Sequence, residues 1–309
     1  MTDPLDQLRL RDLMLLEHIA GLGTLRRVAQ TLHVTQPAVT QMLHGLERAM
    51  GAALVERGRR GVSLTGAGQA ALLRLRSARQ ELEQARLAAQ RHGQPMLRLG
   101  ATPIATLRLL PQAIERLVAL APDVRITLTE AGVHRLWEQL ADGRLDAVVG
   151  RLPSDAPPLA GLRYERVGEE RMVLVVGRQH PLASQARAPR GRHAWQRVLA
   201  QCAWVLPPDN GPATQSLREW FSTAGVAVPV PQVVSGAYQA SLNMVAKAPL
   251  VTLVPETAAR MQAEALGLQL LHTSWPPPRV QLVFAAREAH WALVPIASLR
   301  TCFPATTPP

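Results

Sequence analysis

The sequence predicts an all-α domain carrying a short β-hairpin, then one long helix, then an α/β domain of two small lobes. Three observations lead there. Residues 5–50 have helical periodicity and 54–64 a hairpin pattern; residues 66–92 carry a heptad; after Gly93–Pro95 short apolar runs alternate with amphipathic helices. The 309 residues are 47% hydrophobic with 25 Pro and 21 Gly, enough apolar surface and enough turns for two or three packed units.

In the first domain Thr24 is placed to cap a helix whose inner face is Leu25, Val28, Ala29 and Leu32. A turn at His33–Val34 follows, and Thr35 is placed to cap a second helix that has Gln36 and Pro37 in its first turn. Val39, Met42, Leu43, Leu46 and Met50 repeat at helical spacing as its buried face, which leaves Gln36, Pro37, Thr40, Gln41 and His44 outward. Any small helical bundle has capped helices with polar outer faces. Here the outward set also has the chemistry of a major-groove reader: Gln can pair with adenine, and Thr and Pro can pack on the thymine methyl. Arg26 and Arg27 at the preceding helix start suit phosphates, and Arg59–Arg60 at the hairpin tip suits a wing in a minor groove.

Along the long helix, Ala71, Leu75, Ala78, Leu82, Ala85 and Ala89 alternate steps of four and three. Such a seam packs either on its own domain or on a twin helix. The small alanines, which allow close backbone approach, favour the twin and predict a dimer. Gly66-x-Gly68-x-x-Ala71 imitates a dinucleotide-binding turn, but the apolar run before it is too short for a central strand and no return strand with an acidic residue follows.

Downstream, strands are predicted at Leu97–Ala101, Val124–Glu130, Ala147–Val149, Met172–Val176, Trp204–Leu206, Val251–Val254 and Val280–Phe284, with helices over Ile104–Leu120 and Val133–Ala141. Alternation of this kind implies a parallel sheet with helices on both faces, in two Rossmann-like lobes. Ligands of such sheets bind beyond the carboxyl ends of strands, against helix N-termini. The candidates there are Thr102 and Ile104 after the first strand, Arg151 after the third, Asn210 in the segment Pro207–Thr214, and Ser235 with Gly236. Thr102 can offer a hydroxyl beside free helix amides to a carboxylate, or it can simply cap its helix.

Formal net charge of +11 permits a polyanionic partner. The first 66 residues hold eight Arg against six acidic residues, so the excess is not one patch. Cys202 and Cys302 have no C-x-x-C spacing and read as reduced thiols of a cytoplasmic protein. No basic-then-apolar leader and no bilayer-length apolar run is present. The nine histidines lack metal spacing, and no Gly-x-Ser-x-Gly, His-Glu-x-x-His or P-loop occurs, so neither an enzyme nor a cofactor or metal site is expected.

The segments Arg26–Arg57 (RRVAQTLHVTQPAVTQMLHGLERAMGAALVER) and Gly61–Gly68 (GVSLTGAG) resemble the N-terminal domain of LysR-type transcriptional regulators. Resemblance continues at Leu140–Gly150 (LADGRLDAVVG) and Glu169–Ala183 (EERMVLVVGRQHPLA). Val55 stands where the family often has Phe, Gln41 where many members are basic, and Thr40 where Ser is common. The resemblance implies a winged helix-turn-helix over 1–65, a linker and dimerisation helix over 66–93, and a periplasmic-binding-protein-like effector domain over 94–309. Lobe I would comprise 94–166 and 270–300, and lobe II 167–269. It further implies a cytoplasmic, sequence-specific regulator of promoter or operator DNA, responsive to a small effector between the lobes, with an organic anion as the candidate class. Its partners would be a second copy, as a homodimer that pairs into a homotetramer, and RNA polymerase. The α/β lobes alone would equally suit a solute-binding transport component, which a leader peptide would mark.

Overall fold

The computed structural model describes residues 8–58, 61–90, 95–153, 161–184, 189, 191–208, 212–225, 227–273 and 277–304. The chain divides into two compact units, Met1–Pro95 with Glu138–Leu145, and Met96–Trp137 with Asp146–Pro309.

In the first unit a 3₁₀ turn (Leu10–Met14) leads into α1 (Leu15–Leu22), α2 (Leu25–Thr31) and α3 (Gln36–Met50), then the hairpin β1 (Val55–Gly58) and β2 (Gly61–Leu64), then α4 (Gly66–Gln90). Gly23 and Gly51 end α1 and α3 in the left-handed region that glycine adopts without strain. Leu15, Leu16, Ile19, Leu25, Val28, Val39, Leu43, Leu46 and Leu54 form the core. Leu72 and Leu75 of α4 complete it, with Ala71 packed alongside. The start of the seam is therefore committed to its own domain, whereas Ala78, Leu82, Ala85 and Ala89 are exposed. Glu17 of α1 pairs with Arg76 (3.2 Å) and Arg79 (3.7 Å), fixing α4 to the head.

From Met96 onward the elements are β3 (Met96–Ala101), α5 (Leu109–Leu120), β4 (Arg125–Glu130), α6 (Val133–Ala141), β5 (Ala147–Gly150), β6 (Leu162–Gly177), α7 (Arg192–Gln201), β7 (Ala203–Leu206) and α8 (Pro212–Ala224). Then come β8 (Val233–Val234), α9 (Tyr238–Lys247), β9 (Leu250–Pro255), α10 (Glu256–Leu266), β10 (Leu268–Leu271), β11 (Arg279–Arg287) and α11 (Val294–Thr301). Strand order is β4-β3-β5-β11-β6-β9-β7-β8, with β10 also paired to β6.

Each lobe holds a parallel trio, β4-β3-β5 in one and β8-β7-β9 in the other. Strands β6, β10 and β11 pair antiparallel, so the sheet is mixed rather than wholly parallel. The sequence-based strand at Met172–Val176 is the last part of a 16-residue strand, β6, that runs through both lobes. Its first half pairs with β11 and its end with β9 and β10.

One lobe packs around Leu99, Leu110, Leu117, Phe284 and Trp291. The other packs around Trp204, Leu217, Trp220 and Phe221, with the Trp204 and Phe221 rings edge-on at 5.4 Å. The helix expected from Ile104 starts only at Leu109: a 3₁₀ turn at Ala105–Leu107 intervenes, and Arg108 leaves helical geometry with φ −148°. Among the described residues no helix is long and apolar enough to cross a membrane.

Candidate nucleic-acid interface and effector cleft

The helix-turn-helix is built by its two threonine caps. Thr24 Oγ1 accepts the amide of Arg27 and Thr35 Oγ1 that of Ala38, each at 3.4 Å, so both helices begin where the sequence places them. The tight reversal between α2 and α3 puts His33 at φ +53°, a left-handed position where a non-glycine residue is uncommon. On α3 Val39, Leu43 and Leu46 are buried, with Met42 and Met50 partly so. Gln36, Pro37, Gln41 and His44 are exposed on the opposite side. Thr40 is half-buried and spends its hydroxyl on the Gln36 carbonyl (3.2 Å), which leaves its methyl as the outward chemistry. His44 Nδ1 lies 3.6 Å from Glu47, whose other oxygen accepts the Leu54 and Val55 amides at 2.9 and 3.3 Å. Glu47 thereby anchors the hairpin to the base of α3. Arg26 and Arg27 are exposed at the start of α2. Arg59 and Arg60 lie outside the described residues.

The turn from Leu64 to Gly68 has a physical basis. Thr65 Oγ1 accepts the Gly68 amide (3.0 Å) and donates to the Ala53 carbonyl (2.8 Å), capping α4 and tying it to the hairpin. A Cβ on Gly68 would sit 2.0 Å from the Leu54 carbonyl oxygen. The glycine at 68 serves this close backbone approach.

In the second unit Thr102 follows β3 and is buried, 3% exposed. Its carbonyl accepts the Ala105 and Thr106 amides at 2.9 and 3.3 Å, and its own amide donates to Val149. Its hydroxyl has no hydrogen-bond partner among the described residues. Because α5 starts at Leu109, Thr102 does not cap that helix, contrary to the sequence-based capping role. Gly150, at the end of β5, has no room for a side chain: a Cβ there would lie 2.8 Å from Thr102 Oγ1. Arg151 comes next. Burial pushes its guanidinium below the ordinary arginine range, against the pull of Tyr238 and Glu219. An arginine remains charged at neutral pH, so this is a cation held partly out of water.

Pattern reading passed over Tyr238, which stands beside Arg151. It opens α9 and packs against the cores of both lobes. Burial raises its hydroxyl pKa, Arg151 opposes that, and Glu170 and Glu130 reinforce it. Its rarity was the available signal, since the chain has two tyrosines and this one follows a strand end. Ser235 is half-buried, with its amide on the Leu206 carbonyl and its hydroxyl 3.4 Å from the Ala237 backbone. Ile104 is buried, 4% exposed, and packs in the apolar core of the first lobe. Asn210 lies outside the described residues.

The two thiols sit apart. Cys302 is in the core of the first lobe and Cys202 packs against that of the second. Burial pushes both thiols up from their ordinary range, and each Sγ–H donates to a carbonyl one helical turn back, Ser298 and Val198. Neither has the environment of a reactive thiolate.

Residues 10–69 match the model of the bacterial regulatory helix-turn-helix protein, lysR family, and residues 90–305 that of the LysR substrate binding domain. The chain is 30% identical over 279 residues to the HTH-type transcriptional regulator GalR of Pseudomonas putida, covering 89% of this chain and 68% of that one. It is 28% identical over 274 residues to the hydrogen peroxide-inducible genes activator of Haemophilus influenzae, 88% of each. A full-length OxyR variant from Pseudomonas aeruginosa shares the fold at 22% identity, with a TM-score of 0.60 over 96% of each chain. The curated relatives are transcriptional regulators, which removes the transport-component alternative. With a helix-turn-helix head and an effector domain both matched along the chain, the protein belongs to the LysR family of DNA-binding transcriptional regulators.

Proposed function

We propose that the protein reads its operator through the exposed face of α3, with Gln36, Pro37, Thr40, Gln41 and His44 at base edges. Thr24, Arg26, Arg27 and Thr35 hold phosphates, and Arg59 and Arg60 carry the hairpin tip into a neighbouring minor groove. The observation that carries this reading is the division of α3 into a buried Val39–Leu43–Leu46 side and an exposed Gln–Pro–Gln–His side. Exposed Ala78, Leu82, Ala85 and Ala89 pair two copies along α4, and dimers pair into tetramers. The working division is 1–65, 66–93 and 94–309, with lobe I at 94–166 and 270–300 and lobe II at 167–269. The protein acts in the cytoplasm, regulates rather than catalyses, and engages RNA polymerase at the promoter.

The effector is a small organic anion held between the lobes by the Thr102 hydroxyl and the Arg151 guanidinium, with Ser235, Tyr238 and Asn210 from the other lobe. The unpartnered Thr102 hydroxyl beside Gly150 supports this placement. A ligand that prefers one lobe angle shifts that equilibrium by its difference in affinity for the two arrangements.

The test is affinity for operator and scrambled DNA across a salt series. Gln36→Ala and Gln41→Ala should each lower operator affinity by about 1–3 kcal/mol and leave scrambled DNA almost unchanged. Arg59→Ala should weaken both and flatten the salt slope. Equal losses on both DNAs for the two glutamine variants would remove α3 from base reading.

A further inference from the structure

A small pocket opens at the end of β6, where Gly177, Gln179 and His180 face the last turn of α9 and the bend after it, Val245–Pro249. None of Thr102, Arg151, Ser235 or Tyr238 lines it. Tyr238 stands at the other end of α9, about 14 Å away along the helix axis. The volume is about 130 Å³, room for about four waters or one tetrahedral oxyanion.

Its side chains are donors. His180 is buried, and its Nδ1 accepts the Leu182 amide at 3.1 Å. Burial lowers the pKa of the ring and keeps it neutral, so its one proton is on Nε2, which has no partner among the described residues. Lys247 is the only lysine of the chain, exposed, and without an ion pair or hydrogen bond among the described residues. Every other cationic stem is an arginine, whose planar fork suits carboxylates and nucleic-acid phosphates, whereas an ammonium is a compact charge on a flexible chain. Gln179 adds an exposed amide, and no Asp or Glu lines the pocket.

Among these donors stands one unusual acceptor. The fourth residue after Val245 is Pro249, which has no N–H, so the Val245 carbonyl lacks its helical donor. A Cβ on Gly177 would strike that carbonyl, so glycine is what lets the strand end come this close. The carbonyl end of α9 works against an anion, and Lys247 in the last turn offsets it.

We infer that this pocket binds a small protonated oxyanion, of which hydrogen phosphate is the simplest. The His180 Nε2–H, the Lys247 ammonium and the Gln179 amide donate to its oxygens, and its own hydroxyl donates to the Val245 carbonyl. Sulfate has the same shape but no proton for that carbonyl.

The single lysine allows a site-specific test. Reductive methylation of the full chain with isotope-labelled formaldehyde keeps the charge and labels only Lys247 and the amino terminus. In NMR spectra the Lys247 methyl signal should shift with phosphate and saturate at millimolar concentration, while chloride at equal ionic strength leaves it in place. Phosphate bound at the DNA-reading head would not move this signal. Sulfate should bind more weakly than phosphate. Gln179→Ala, at an exposed position, should weaken phosphate about three- to fivefold. His180→Asn keeps an acceptor for Leu182 but is too short to reach the anion, and should weaken it about tenfold or more. A melting curve shows whether each variant is folded, and Gln179→Ala decides alone should His180→Asn not be. An unsaturated drift shared by phosphate and chloride, or a phosphate affinity unchanged in the folded variants, would overturn the site. Sulfate bound as tightly as phosphate would overturn the Val245 contact and with it the protonated ligand.

Discussion

Asp146 locks the start of β5 to β3 by accepting both the backbone amide of Arg98 (2.7 Å) and its Nε (3.1 Å), while the Asp146 amide returns a bond to the Arg98 carbonyl at 2.8 Å. Arg98 Nη2 completes a forked contact, and Arg287 of β11 approaches the same carboxylate at 4.0 Å. The three side chains are only 9–16% exposed. Removing one partner strands a buried charge, so Asp146→Ala should destabilise this domain by about 3–5 kcal/mol. Asp146→Asn keeps an acceptor and should cost less. Denaturant unfolding of the two variants against the parent measures both, and a loss under about 1 kcal/mol for Asp146→Ala would show that solvent already screens the cluster.

Gly68 supplies a sharper geometric test. Its missing Cβ would strike the carbonyl of Leu54, which is backbone and cannot swing aside. Gly68→Ala must therefore push α4 away from the hairpin, at a cost of about 1–3 kcal/mol. Operator affinity should fall with it, because Thr65 and Gly68 set the hairpin against the head. Gly66→Ala, on the same helix with open space around it, is the control and should bind DNA normally. If the two variants behave alike, the Leu54 contact is not what glycine serves.

Much of this was legible in the sequence, and what was missed has a common cause. The caps at Thr24 and Thr35, the buried stripe of α3 and helix α6 follow from local pattern, and the structure places them accordingly. The first half of β6 was invisible because its sequence is polar: of Leu162–Arg171 only Val167 and Glu170 are buried, so no apolar run exists to read. Leu107 fits a helical stripe, yet it packs across on the core of the second lobe, a tertiary role that periodicity cannot separate from a helical one. The seam shows the same limit. Leu75 satisfies a heptad, but its burial belongs to the head's own core. Among the residues proposed for the ligand, Thr102 and Arg151 follow from the strand-end rule, whereas Tyr238 meets its neighbours only once both lobes are folded.

His180 should make the protein acid-sensitive. It is buried, its Nδ1 accepts the Leu182 amide at 3.1 Å, and burial lowers its pKa from the ordinary 6.5. Lys247 of α9 lines the same small pocket, so no nearby carboxylate from that side favours the imidazolium. Above the unfolded-chain value both states are neutral and His180 adds no pH dependence. As pH falls below about 6.5 the unfolded chain takes up the proton first, and stability is lost until the folded value is passed. His180→Asn keeps a side-chain acceptor for Leu182 without the titration. Melting temperatures at pH 7.5 and 5.0 should fall less in the variant than in the parent, and equal falls would assign the acid sensitivity elsewhere.

Thr102→Val separates ligand binding from stability, and the two should move in opposite directions. The hydroxyl is buried and unpartnered, and such a group costs about 1–3 kcal/mol of folding free energy. Valine has nearly the same shape, and Thr102 makes no capping bond to α5 that would be lost. The variant should thus be more stable without ligand by about 1 kcal/mol, a rise of about 2–4 °C in melting temperature. Its response to an effector anion should be blunted, because Arg151 would then hold the anion without the neighbouring hydroxyl. Effector-free operator affinity should be unchanged, since α3 and the hairpin are untouched. The measurements are a melting curve, operator binding, and calorimetry with small carboxylates from the metabolites of adjacent genes. A raised melting temperature with undiminished carboxylate affinity would make the hydroxyl a packing defect and move the anion site away from Thr102. A lowered melting temperature would mean that the hydroxyl is satisfied in solution, and the unpartnered donor could no longer argue for a ligand there.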